Sequence, residues 1–163
     1  MLVNMNDVLF PAKKNKYAVG LFNAVNLELA RGIIGAAESM RAPVIIGTAE
    51  VLFPYGPLEE LSDMILPMAK KADVPVVVHY DHGLTFEKCV EALKLGFSSI
   101  MYDCSTDSYE DNVKKVKEMA DIAHSYGATI EAELGHVGDN EGSAEGEPGD
   151  ENPEKYYTDP KMA

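Results

Sequence analysis

Basic residues are scarce in this chain: 14 Lys and Arg stand against 27 Asp and Glu, for a formal net charge of −13. Phosphate backbones are bound by clustered Lys and Arg, so this balance argues against a nucleic-acid partner. Long apolar runs are missing too. None approaches the ~20 residues that span a bilayer, and no membrane partner is expected. The opening Met1-Leu2-Val3-Asn4-Met5-Asn6-Asp7 has neither the basic nor the apolar region of a secretion signal, so a cytoplasmic location is the expectation. Cysteine is limited to Cys89 and Cys104, in no CxxC or zinc-finger spacing, and implies no disulfide. The chain carries no GxGxxG, P-loop or Gly-x-Ser-x-Gly pattern, which disfavours dinucleotide binding and a serine nucleophile.

What remains is an ordinary soluble composition, 46% hydrophobic and 25% charged over 163 residues, enough for one domain with a real core. Much of the acidic excess is local. Asp139, Glu141, Glu145, Glu147, Asp150, Glu151 and Glu154 crowd a Gly- and Pro-rich stretch with Lys155 as its one base. Residues 136–157 are therefore expected to form a flexible, solvated acidic loop.

Strand-like and helix-like segments alternate along the rest. Tyr17–Asn23, Ala42–Thr48, Val74–Tyr80, Ser98–Asp103 and Thr129–Gly135 read as strands. Leu27–Met40, Leu58–Ala72, a segment from Thr85 to Leu95, and Ser108–Tyr126 read as helices. Thr85 is a suitable N-cap and Gly96 a suitable C-terminal stop. Thr158 or Asp159 could cap a further helix. Strands separated by helices imply a parallel sheet, and the Val/Ile runs of the second and third suit strands covered on both faces. Units of roughly 25–30 residues amount to about five-eighths of a (β/α)₈ barrel of ~250 residues. A compact flavodoxin-like sheet and a partial barrel both fit this pattern.

Chemistry gathers at the strand ends. Val74-Pro75-Val76-Val77-Val78-His79-Tyr80-Asp81-His82-Gly83 ends an apolar strand in a proton-transfer carboxylate beside a metal-binding imidazole. Asn23, Asp103, Glu131 and Glu133 recur at other strand ends, which converge on one surface in a parallel α/β fold. His82 could be a metal ligand, a general base or a structural histidine. His79 shares its strand face with Asp81 and is either its partner or core. His124 reads as surface, and His136 as a weak ligand candidate.

Several segments in order carry a resemblance: Gly20–Glu28, Ala42–Ile46, Val76–Gly83, Met101–Ser105 followed by Glu110-Asp111-Asn112, and Glu131–Gly135. Together they resemble the class II, zinc-dependent ketose-bisphosphate aldolases over nearly all of the chain. The resemblance implies a (β/α)₈ TIM barrel, of which these residues form the N-terminal part of a single domain, about five units. It implies reversible cleavage of fructose or tagatose 1,6-bisphosphate to dihydroxyacetone phosphate and glyceraldehyde 3-phosphate.

By this resemblance Asp81 is the acid/base at the C4 hydroxyl and His82 a ligand of catalytic zinc. Asp103 and Glu133 hold an alternative or second divalent-metal position, Asn23 contacts substrate, and Glu141 is a catalytic loop glutamate. Members of the family usually carry a Gly-Gly-Glu-Glu-Asp type of run where this chain reads Val137-Gly138-Asp139-Asn140-Glu141-Gly142. Tyr157-Thr158-Asp159-Pro160 resembles the segment after which two more zinc histidines, phosphate-binding glycine loops and a monovalent-cation site follow. The partial barrel is accordingly expected to form a homo-oligomer or to pair with a complementary C-terminal fragment. The alternative is a non-catalytic half-barrel or assembly module.

Overall fold

The computed structural model describes residues 1–135 and 157–163. Among the described residues, six parallel strands alternate with five α-helices: β1 (Leu2–Val3), α1 (Met5–Asn15), β2 (Leu21–Asn23), α2 (Leu27–Met40), β3 (Val44–Ala49), α3 (Leu58–Lys71), β4 (Val76–Gly83), α4 (Phe86–Leu95), β5 (Ser99–Tyr102), α5 (Tyr109–Ser125) and β6 (Thr129–Glu131). A 3₁₀ helix, Glu50–Tyr55, follows β3. The sheet runs β2-β3-β4-β5-β6 in chain order, with β1 paired to the start of β4. A doubly wound sheet would reverse its order at a switch point. The unbroken order is that of a barrel wall and decides against the flavodoxin-like alternative.

Alternation along the strands divides the core in two. Ile46, Val76, Val78, Tyr80, Ile100 and Tyr102 pack outward against α2–α5. Ile45 and Val77 point the other way and are covered by Met5 and Val8 of α1. Every residue of β3 is buried, as are Val76–Tyr80 of β4. Burying an aliphatic side chain of this size stabilises by about 1.5–3 kcal/mol, so the central strands anchor the fold.

The N-terminal strand and α1 were not expected from the sequence. Their signal is a capping box: the Asn4 side chain accepts from the backbone at the third helical residue, and Asp7 reaches back to the Asn4 backbone. Asn4 Nδ2 also donates to Gly127 O at 3.2 Å, tying the start of α1 to the residues before β6. The helix thus closes the lower part of the sheet's inner face. Its upper part, at the C-terminal strand ends, is left to the polar side chains.

Two expected strands are shorter than anticipated. Tyr17 belongs to the end of α1, where Lys16 is left-handed at φ 59° and the Tyr17 N–H donates to Ala12 O. Regular extension therefore begins only at Leu21. Strand β6 stops at Glu131 because its last register partner is Met101, near the end of β5. The helices match expectation closely, including the Thr85 cap, and the structure adds Asn26 and Ser108 as the caps of α2 and α5. Asp159 opens a turn: its Oδ1 accepts from Lys161 N, and its carbonyl from Met162 and Ala163. The described residues contain no helix long and apolar enough to cross a membrane.

Candidate active site

The tip of β4 departs from regular extension, and that departure builds the site. Successive strand residues normally face opposite sides. Here the β4–β5 register shifts between Tyr80 and Gly83, and His82 adopts φ 46°, a left-handed conformation that non-glycine residues resist. Asp81 and His82 consequently both reach polar partners at the strand ends.

Asp81 faces β2. Asn23 Nδ2 donates to Asp81 Oδ2 at 2.8 Å, across the intervening β3. The residue between them is Gly47, paired in register with Asn23 and His79. A Cβ at Gly47 would stand 2.6 Å from Asn23 Oδ1, so glycine leaves the space that the amide occupies.

His79 lies beneath, fully buried. Its Nδ1 is 2.9 Å from Ser99 Oγ. Its Nε2 stands 3.8 Å from Asp81 Oδ1 and 3.6 Å from Glu131 Oε2, with no hydrogen-bond partner among the described residues. Burial holds the ring's pKa down to about 4 even though the Asp81 charge pulls the other way. The imidazole is therefore neutral at pH 7. Two carboxylates facing Nε2 favour the tautomer with its proton there, the Ser99 hydroxyl then donating to Nδ1. Burial, with Asp81 and Glu133 adding to it, raises the pKa of the Glu131 carboxyl.

His82 faces β5. Its Nδ1 is 2.8 Å from Asp103 Oδ2, and Asp103 Oδ1 accepts from the Ser105 N–H at 3.0 Å. Burial disfavours the charged ring, but the Asp103 hydrogen bond and the fields of Asp81, Asp103 and Glu133 outweigh it and raise the His82 pKa. The same balance, with the His82 and Ser105 hydrogen bonds outweighing burial, lowers that of Asp103. Glu133 completes the group. Ligand atoms of His82, Asp103 and Glu133 all lie within 4.8 Å of one another. One imidazole and two carboxylates are a donor set that suits a divalent cation such as zinc. The Glu133 backbone is held by Asn112 Nδ2, which donates to its carbonyl at 2.9 Å.

The residues singled out in the sequence thus divide cleanly. Asn23, Asp81, His82, Asp103 and Glu133 lie at neighbouring strand ends, with His79 and Glu131 between them. His124 is exposed on α5. Glu141 and His136 lie outside the described residues. Ser99 was overlooked, although its register pairing with His79 is what places its hydroxyl against the ring.

The class-II fructose-bisphosphate aldolase family model matches residues 3–163. The fructose-bisphosphate aldolase of Geobacillus stearothermophilus is 40% identical over 98% of this chain and 55% of its own length. That of Thermus caldophilus is 42% identical over 84% of this chain and 45% of its own. Among solved structures, the YdjI aldolase from Escherichia coli K12 superposes with a TM-score of 0.80 at 38% identity, covering 83% of this chain and 51% of that one. A putative fructose-1,6-bisphosphate aldolase from Coccidioides immitis gives 0.76 at 30% identity, covering 82% and 47%. The chain spans about half the length of the relatives it matches. A match over nearly every residue, on the same sequentially ordered parallel sheet, places the chain in the class-II fructose-bisphosphate aldolase family.

Proposed function

We propose that this chain carries the N-terminal part of a metal-dependent aldolase site, with residues 1–163 forming the N-terminal part of a single barrel domain. The reaction is reversible cleavage of a ketose bisphosphate, fructose or tagatose 1,6-bisphosphate, to dihydroxyacetone phosphate and glyceraldehyde 3-phosphate. The observation that supports it best is the approach of His82, Asp103 and Glu133 next to Asp81 at the strand tips.

His82, Asp103 and Glu133 would hold the metal. When bound, that ion supplies Lewis-acid polarisation of the substrate carbonyl, which spreads the negative charge left at C3 as the C3–C4 bond breaks. Asp81 takes the proton of the C4 hydroxyl during that cleavage, so C4 leaves as an aldehyde, and it returns the proton in the condensation direction. Asn23 aims Asp81 by holding Oδ2, which leaves Oδ1 as the less encumbered oxygen. His79, neutral and buried, shields the carboxylate from below without competing for its proton. Glu141 is assigned the part of a catalytic glutamate.

A second reading, an assembling half-barrel, is favoured by the edge of the sheet. All three residues of β2 are exposed, Phe22 by 53%, beside an apolar groove of about 470 Å³ lined by Ile33, Met40 and Val44. Such an edge invites a further copy or a complementary fragment.

A coupled assay for triose phosphate release, with each bisphosphate, tests the activity. Zinc-dependent cleavage that EDTA abolishes is expected. Cleavage that survives EDTA, or persists in Asp81→Ala, would refute the assignment.

A further inference from the structure

A single carboxylate oxygen holds both ends of the strained β4 tip. Glu50 Oε2 accepts from the Tyr80 hydroxyl at 2.7 Å and from the Leu84 N–H at 2.9 Å. Between those anchor points lie Asp81, His82 and Gly83. We infer that Glu50 is a positioning residue of the site: it latches residues 80 and 84 together and so keeps Asp81 and His82 in the shifted register that faces their partners. The inference deepens the proposed metal-dependent reading and rests on it.

Geometry gives the latch its leverage. The Tyr80 ring is fully buried, stacked on Phe53 with centroids 6.0 Å apart and edge-on to Phe97 at 6.4 Å. Its hydroxyl therefore has one position in which to find an acceptor, and Glu50 stands there. Phe53 and Glu50 lie on the same 3₁₀ helix, so ring stacking and the hydrogen bond dock that helix against β4 together. Charge-assisted hydrogen bonds of this kind are the stronger ones.

On the far side of the tip, the Gly83 carbonyl accepts from the Asp103 N–H at 3.0 Å. A Cβ at Gly83 would lie 2.5 Å from Tyr80 Cε1 and 2.8 Å from Met101 O. The tip is thus wedged between β5 and Tyr80, while the Leu84 end is secured, among the described residues, through its N–H to the Glu50 side chain. If Leu84 is released, the left-handed His82 backbone can relax toward extension, which carries its ring away from Asp103.

The test compares Glu50→Ala and Glu50→Gln with the parent chain by two readouts. The first is amide hydrogen exchange at Asp103, which Glu50 does not touch, against Ser98, whose N–H donates to Val78 O lower in the sheet. The second is cobalt(II) affinity from its visible absorption. In Glu50→Ala, Asp103 exchange is expected to rise about tenfold with Ser98 unchanged, and cobalt affinity to fall about tenfold. Glu50→Gln retains an oxygen that accepts from both donors and should stay within about threefold of the parent on both readouts.

Unchanged Asp103 exchange in Glu50→Ala would overturn the latch. Equal acceleration at Asp103 and Ser98 would also overturn it, because Glu50 would then be a general stabiliser. So would a Glu50→Gln variant as impaired as Glu50→Ala. Should Glu50→Ala not fold, Tyr80→Phe keeps the ring and removes one of the two hydrogen bonds, and is expected to give an intermediate Asp103 rate. A parent chain that binds no cobalt would count against the metal reading alone, since the exchange comparison still decides the latch.

Discussion

Asn23 and Asp81, 58 residues apart in the chain, meet through a 2.8 Å hydrogen bond that crosses over Gly47. The contact aims the carboxylate assigned to proton transfer, and it exists because β3 has no side chain at that level. Gly47→Ala, whose Cβ would crowd the Asn23 amide, should therefore mimic Asn23→Ala. Each is expected to lower kcat about tenfold, with the double variant no worse than either. Independent, multiplying losses would separate the two residues.

Gly83 has less freedom than Gly47. Its added Cβ would meet the Tyr80 ring, Cys89 Sγ and the Met101 carbonyl at 2.5–2.8 Å. Tyr80 and Cys89 are fully buried, and the carbonyl belongs to a neighbouring strand, so none of the three yields cheaply. Gly83→Ala is expected to cost about 3 kcal/mol in urea unfolding, in the range of core overpacking.

The two histidines of β4 push the pH dependence of stability in opposite directions. His79 has its folded pKa lowered from 6.5 to about 4, so between those values the unfolded chain binds more protons. Its contribution is complete above about pH 6.5 and is lost as pH falls toward 4, by about 3 kcal/mol. His82 has a raised pKa, so its contribution is present below 6.5 and fades as pH rises through the folded value. Denaturant midpoints should accordingly climb from pH 4 to 6.5 and then level or decline. His79→Gln should flatten the acid limb and leave the alkaline one; an unchanged acid limb would contradict the burial argument.

Asn4→Ala removes the side-chain half of the α1 capping box and the bond to Gly127 O, leaving the Asn4 N–H on Asp7. A loss of about 1–2 kcal/mol is expected by thermal unfolding. The upper site should be spared, because α1 covers Ile45 and Val77, below the level of Asp81.

Much of this was legible in the sequence. Val/Ile runs, the Thr85 cap and the Asp81-His82-Gly83 ending are local signals, and they place strands, helices and strand tips without tertiary information. The α1 helix was missed because a capping box of Asn and Asp in a short, weakly apolar segment looks like a polar start to the chain. Its role becomes visible only once Ile45 and Val77 are known to face inward. Glu50 escaped notice for a similar reason: its partners Tyr80 and Leu84 are 30 and 34 residues away, and no spacing rule connects them. Periodicity left barrel and open sheet both possible; the family resemblance pointed to the barrel, and the strand order bears that out.

Zinc titration of the 163-residue chain by equilibrium dialysis tests the central claim most directly. The account predicts one zinc bound per chain, abolished in both His82→Ala and Glu133→Ala and retained in Asn23→Ala. Absence of saturable binding, or binding that survives both His82→Ala and Glu133→Ala, would contradict it.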